Sequence, residues 1–384
     1  MAASQTSSAP SYTSALTTFL SSIEEFAGSL SQLEKEIPAD QVPVHGDRWH
    51  QQVLAAFEKS QAACREFETT EGITQPQVLE AQKLFRDRTG HWMEQSWIAH
   101  RSRTKPSGFA GDYEMLLKLY EEATPACGLG GYIDLCILDL PLARAVRARM
   151  ASVRSFLLTE LGRRDGDAPV RILDIASGPC REFLQWPAAR SQRVEVVALD
   201  NDPQAIDYVS QHVKPQLPDS TTMSMNRYNA LRTRSAENTI RHFGKFDVIY
   251  SVGLCDYLTD EHLVGLLHGW GETLNEQGVL YIAFKDTEQY DQTPYQWHLD
   301  WFFYQRTLQD VLRLYEQAGF NVHAMDTVRD ATQIIVNFVA RKVPGAIVRL
   351  DSAEAQPRRR RAPGTAGTKV QSSTASSEGA TEAS

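Results

Sequence analysis

Val170-Arg-Ile-Leu-Asp-Ile-Ala-Ser-Gly-Pro-Cys-Arg-Glu-Phe183 is the stretch on which the fold turns. An apolar strand runs into Asp174, then into a tight bend of small residues, and the segment after the bend is expected to be a helix. In doubly wound α/β folds a ligand sits at the carboxyl ends of the strands, where such a bend lets backbone approach it closely. A second strand, Val194-Glu-Val-Val-Ala-Leu199, ends at Asp200, 22 residues after Gly178. A carboxylate there can accept both hydroxyls of a ribose, with Asn201 flanking an adenine. The plainer readings are that Asp174 caps the first helix and that Asp200 opens a turn with Asn201-Asp202-Pro203.

Outward from this unit, apolar runs at 170–176, 193–200, 223–229, 246–252, 278–284, 321–328 and 333–341 alternate with helical stretches. That alternation predicts a mostly parallel seven-stranded sheet covered on both faces. Only Arg329 to Thr332 separate the last two runs, too few for a crossover helix, so they should form an antiparallel hairpin at the sheet edge. Upstream, Leu16, Leu20, Ile23, Phe26, Leu30, Leu33 and Ile37 recur three or four apart, the stripe of an amphipathic helix that packs on another helix or forms a dimer seam. Further helices are expected at about 47–68, 76–101 and 112–124, with Pro-containing breaks at 38–43 and 103–107, and a long one at 142–162. The expected organisation is a low-complexity segment 1–11, a helical cap region 12–140, an α/β domain 141–342 and an unstructured Ser/Thr/Ala/Gly/Pro-rich tail 351–384.

Two cofactor classes use this layout. A dinucleotide site wants G-x-G-x-x-G, and here Ala176, Gly178 and Arg181 stand at the three places, so one glycine survives. The S-adenosylmethionine pattern D-x-G-x-G-x-G fits better, with Asp174, Ala176, Gly178 and Cys180, although two glycines are replaced. Asn229, after the third strand, stands where an adenine amine would be met. Phe246-Asp-Val-Ile-Tyr-Ser-Val-Gly-Leu-Cys-Asp-Tyr-Leu258 gives a fourth strand, containing Ser251, that opens into a small-residue loop beside a reactive sulfonium. With the terminal hairpin, these pieces compose a Rossmann-like class I methyltransferase plan. Arg181 in the first turn of a helix would oppose the macrodipole, so an anion should compensate it, either the cofactor's carboxylate or Glu182.

Composition narrows the alternatives. A net charge of −9 supplies no excess cation for phosphates, against a generic nucleic-acid binder; the run Arg358–Arg361 is a solvated tail or an electrostatic tether. Five scattered cysteines without a CxxC pair fit neither a disulfide framework nor a zinc site, so no metal is expected and a reducing cytoplasm is the simplest compartment. The N-terminus lacks the basic and apolar regions of a secretory signal. The most apolar window, Tyr132–Val146, holds Asp134, Asp139 and Arg144, so membrane contact would be peripheral.

Lys105-Pro-Ser-Gly-Phe-Ala-Gly-Asp-Tyr-Glu-Met115, Ser177-Gly-Pro-Cys-Arg-Glu182 and Tyr250-Ser-Val-Gly-Leu-Cys-Asp-Tyr-Leu258 together resemble the bacterial PhcB-like methyltransferases, over roughly residues 80–342. That resemblance implies carboxylate O-methylation, and in some members of the group the product is a 3-hydroxy fatty acid methyl ester used as a quorum-sensing signal. A fatty acid or acyl substrate is the implied partner. Gly108-Phe-Ala-Gly-Asp-Tyr-Glu114 would fold over the cofactor, with Asp112 and Tyr113 as polar contacts, or Asp112 would simply cap the next helix. In Trp297-His-Leu-Asp-Trp-Phe-Phe-Tyr-Gln-Arg306 the aromatics suit an acyl chain or an ordinary core, Tyr304 and Arg306 would steer a substrate carboxylate, and His298 would do the same or be a plain surface or core histidine. The alternatives are a methyltransferase of the same fold acting on another small molecule and a non-catalytic S-adenosylmethionine-binding regulator.

Overall fold

The computed structural model describes residues 12–164, 168–186 and 192–347; the expectations for 1–11 and 351–384 lie outside them. Among the described residues seven helices precede the sheet: α1 Tyr12–Glu36, α2 Arg48–Thr69, α3 Gln75–Met93, α4 Trp97–Thr104, α5 Tyr113–Glu121, α6 Gly128–Leu138 and α7 Pro141–Gly162. The stripe on α1 is used inside the chain. Ile23, Phe26, Leu30, Leu33 and Ile37 are buried, Phe19 joins them, and Leu16 and Leu20 stay at the margin. Asp47 caps α2 by accepting from His50 N at 2.8 Å. The single helix expected at 76–101 is two, because Ser96 interrupts it as the cap of α4, accepting from Ala99 N at 3.0 Å and donating to Asp134 at 2.5 Å. The break at 38–43 falls between α1 and α2; the one at 103–107 begins two residues early, since α4 runs to Thr104 and only Lys105–Ser107 lie outside it.

The strands are β1 Val170–Ile175, β2 Val194–Asp200, β3 Thr221–Arg227, β4 Phe246–Val252, β5 Leu274–Lys285, β6 Asp326–Arg329 and β7 Ile335–Arg341, in the order β3-β2-β1-β4-β5-β7-β6. All neighbours are parallel except β5–β7 and β6–β7, so the final hairpin inserts its second strand beside β5 and leaves β6 at the edge. This is the class I methyltransferase sheet. β6 is shorter than expected because Val322–Ala324 close a 3-10 turn capped by Asn321. Helices α8 Pro203–Tyr208, α9 Ala236–Phe243, α10 Asp260–Thr273 and α11 Leu308–Gln317 complete the α/β part. The register pairs Ile175 with Leu199 and Asp174 with Tyr250, which brings the carboxyl ends of β1, β2 and β4 to one rim.

No helix of the described residues is long and apolar enough to cross a membrane. His298 lies in the core of the cap, its ring 4.8 to 5.8 Å from those of Phe26, Phe57 and Phe85, with Nε2 3.1 Å from Ser60 Oγ. Burial, helped by the Arg103 guanidinium, pushes its pKa down to about 3. An unfolded imidazole takes a proton near pH ~6.5, whereas the buried one stays neutral. The stability His298 contributes is therefore complete above that pH and is lost toward pH 3, at up to about 1.4 kcal/mol per unit. His298→Gln should flatten the acid limb of unfolding free energy against pH; equal slopes for the two proteins would refute a neutral buried ring.

Candidate functional site

At the rim of β1, β2 and β4 a cavity of about 670 Å³ opens between the sheet and the cap. Its floor is the bend after β1. Ala176, Gly178 and Cys180 adopt φ of 57°, 54° and 48°, left-handed values that cost an L-residue energy and persist only where surroundings fix them. The fixing bonds come from β2: Ser177 N donates to Leu199 O at 3.1 Å and Gly178 N to the Asp200 carboxylate at 2.8 Å. The other Asp200 oxygen accepts from Asp202 N at 2.9 Å. Asp200 thus does form the turn with Asn201-Asp202-Pro203, and the residue also lines the cavity, as does Asn201. Burial pushes the Asp200 pKa up against those two backbone donors.

Of the expected cofactor residues, Ala176, Gly178, Asp200, Asn201 and Asn229 share this wall. Asn229 also caps the 3-10 turn that follows it, accepting from Leu231 N at 2.9 Å. Three others stand elsewhere. Asp174 is buried beneath the bend, where it accepts from Cys180 Sγ at 3.6 Å beside the Glu182–Tyr250 hydrogen bond; burial and the Glu182 charge hold its carboxyl well above the usual range. Ser251 donates to Ile175 O at 2.8 Å and ties β4 to β1. Arg181 reaches Glu121 at 3.3 Å and the Tyr208 hydroxyl at 3.5 Å. The helix expected after the bend is a 3-10 turn, Arg181–Phe183, because left-handed Cys180 breaks the path. No macrodipole acts there, and Glu121 is the compensating anion.

The cap side of the wall includes Phe109, Gly111, Asp112 and Tyr113, so the segment before α5 does reach the cavity. Asp112 caps α5, accepting from Met115 N at 2.9 Å, and is gripped by Arg101. Gly111 has no room for a side chain: a Cβ would sit 2.8 Å from the Trp301 ring and 3.0 Å from the Tyr257 hydroxyl. Trp301 Nε1 donates to that hydroxyl at 2.7 Å. After His298 the helical path ends: Leu299 is still right-handed and Asp300 turns left-handed at φ 52°, and the irregular segment that follows splits its side chains between cavity and solvent. Leu299, Trp301 and Phe303 line the cavity, whereas Phe302 and Tyr304 are exposed. Arg306 does not reach the cavity. Its guanidinium is committed to Asp260 at 2.7 Å and to the carbonyls of Cys255 and Leu258, with the Tyr304 ring 5.3 Å away. Neither residue can steer a ligand carboxylate in this arrangement.

Two cations missed from sequence do belong to the wall. Arg149 lies on α7 and Lys285 ends β5, both nearly inaccessible. Lys285 pairs with buried Asp256 and lies 4.0 Å from the Phe303 ring centre; burial lowers its pKa despite that partner. The signal for Arg149 was readable: Leu142, Val146, Val153 and Leu157 form the buried stripe of α7, and a cation occupies its next position. The remaining wall there is apolar, from Ile137, Leu142 and Val146. Elsewhere, His45, His50 and Asp139 converge within 4.8 Å. His50 Nδ1 accepts from Gly46 N at 3.0 Å, which puts the ring proton on Nε2, facing Asp139, and removes the lone pair a metal would need.

The bend, the Asp200 acceptors and the adjoining Asn201 and Asn229 fit an adenosyl group, while a pyrophosphate would require the helix N-terminus that is missing after Cys180. No protein-family model matches the chain, and no curated protein matches it. Among solved structures it is similar to one described as a possible exported protein from Bordetella parapertussis, with 16% identity over 85% of this chain and 96% of that one, TM-score 0.48. The CurJ carbon methyltransferase gives 10% identity, 85% and 93% coverage and a TM-score of 0.46. Magnesium protoporphyrin IX methyltransferase from Synechocystis PCC 6803, solved with bound S-adenosylmethionine, gives 10%, 53%, 85% and 0.39. The strand order of the chain itself carries the fold.

Proposed function

We propose that this protein is an S-adenosylmethionine-dependent carboxyl O-methyltransferase that esterifies a long-chain 3-hydroxy acyl acid, the class of product used as a quorum-sensing signal. One observation carries the reading: the Asp200 rim and an apolar chamber walled by Trp301, Phe303 and Leu142, with Arg149 and Lys285 in its side, are one continuous cavity. When bound, the cofactor supplies an electrophilic methyl group. Asp200 would accept from the ribose, Asn201 and Asn229 would flank the adenine, and Gly178 would let backbone lie close.

A carboxylic acid of pKa ~4.3 is about 500-fold more ionised than protonated at neutral pH, so the nucleophile needs no general base. The chain's work is then positioning and exclusion of water. Trp301, Tyr257 and Phe109 close one side of the chamber, and the indole–phenol hydrogen bond spends both polar tips within the wall. The cations would draw an acid's head group inward while the aromatic faces hold its chain. Incubation with methyl-labelled S-adenosylmethionine and 3-hydroxypalmitate should place label in an organic-extractable methyl ester. Label in another small molecule would keep the reaction and replace the substrate. Cofactor binding with no turnover on any acid of a chain-length series would favour a sensing role instead.

A further inference from the structure

Arg149 is 3% exposed, yet its Nε has no hydrogen-bond partner, and among the described residues no carboxylate lies within ion-pair distance of its guanidinium. Its polar neighbours include the Tyr120 hydroxyl and, farther off, the Glu182 carboxylate. Room for the group is made at the end of β4. Gly253 holds φ of 101°, and a Cβ there would stand 3.1 Å from Nη2 and 3.2 Å from Nη1. Nearby, Lys285 is paired with Asp256, while the buried Glu182 carboxylate, which accepts from the Tyr250 hydroxyl, acts on Arg149 only from beyond ion-pair distance, so no carboxylate of the chain occupies the guanidinium itself. A guanidinium does not shed its proton, and a buried one with donors left unused and no carboxylate in contact is costly.

We propose that Arg149 is the seat of a ligand carboxylate, taken by the planar fork of its guanidinium. The inference rests on the cofactor-binding reading above and deepens it. Two carboxylates have the required chemistry. One is the amino-acid end of the cofactor: Asp200 on β2 and Gly253 after β4 flank β1, two strand spacings or about 9.5 Å apart, a span an adenosyl amino acid can bridge. The other is the head group of the acyl acid.

Calorimetric titration separates them. S-adenosylhomocysteine, 5′-methylthioadenosine (the same adenosine without a carboxylate) and 3-hydroxypalmitate are titrated into wild type, Arg149→Gln and Arg149→Lys. Arg149→Met, which keeps the buried stem, serves if the glutamine variant does not fold. The expected result is at least a tenfold loss for one carboxylate ligand, partial rescue by lysine, and methylthioadenosine affinity within twofold of wild type. Loss confined to S-adenosylhomocysteine identifies the cofactor as the source, and loss confined to the fatty acid identifies the substrate. Unchanged affinity for both carboxylates, or equal weakening of methylthioadenosine, would overturn the assignment. If wild type took neither adenosyl ligand, the functional reading itself would fall, and the fatty-acid titration alone would decide Arg149.

Discussion

Asp200→Ala will weaken S-adenosylhomocysteine binding at least tenfold, about 1.4 kcal/mol. The carboxylate has two jobs that the substitution ends together. It accepts from Gly178 N and Asp202 N, which holds the left-handed bend in register with β2, and in the proposed complex its remaining lone pairs would accept from the ribose at the cavity wall. Removing it leaves two backbone donors short of a partner and deletes the acceptor for the ribose. Its elevated pKa adds a second signature. Protonation takes away accepting capacity, so wild-type affinity should fall as the pH drops through that raised value, and Asp200→Ala should lose the dependence. Affinity within twofold of wild type, in a variant with an intact thermal transition, would remove the ribose assignment.

Lys285→Met should cost roughly 3–5 kcal/mol of stability, the range for breaking a buried pair from one side. Asp256 and Lys285 are both nearly inaccessible, and Asp256 also accepts from the Lys285 backbone N–H at 3.3 Å. Without the ammonium its carboxylate would stay in an apolar wall with one weak donor. In a domain of this size such a loss lowers the melting temperature by on the order of 10 °C. The double variant Lys285→Met with Asp256→Asn should regain more than half, because the uncompensated charge goes with the partner. A single-variant loss under about 1 kcal/mol, measured by urea titration, would mean that water already reaches the pair.

The sheet was legible because β1, β2 and β4 are short apolar runs ended by turn chemistry, and because four residues between the last two runs allow only a hairpin. The bend residues were legible for the same reason, since small side chains before Asp200 leave few conformations. Side-chain direction was not. Residues 299–306 show the cause: left-handed Asp300 takes the chain off the helical path, and Tyr304 then faces out while Trp301 and Phe303 face in, a split that no periodicity in the sequence announces. Arg306 looked available because Asp260, its partner, is 46 residues away. Arg181 was read through a helix that Cys180 does not permit. Arg149 shows the reverse: its place on an apolar stripe is visible in sequence, but the space left by Gly253 is visible only in the fold.

An adenosyl site at the rim of β1 and β2 is the premise of every role proposed for Asp200, Asn201, Asn229 and Arg149. Titration of the full-length protein with S-adenosylhomocysteine, and separately with NAD, tests that most directly. One adenosyl ligand bound per chain at micromolar affinity, with no heat from NAD, is the expected result. Absence of S-adenosylhomocysteine binding at millimolar concentration, or tighter binding of NAD, would contradict it.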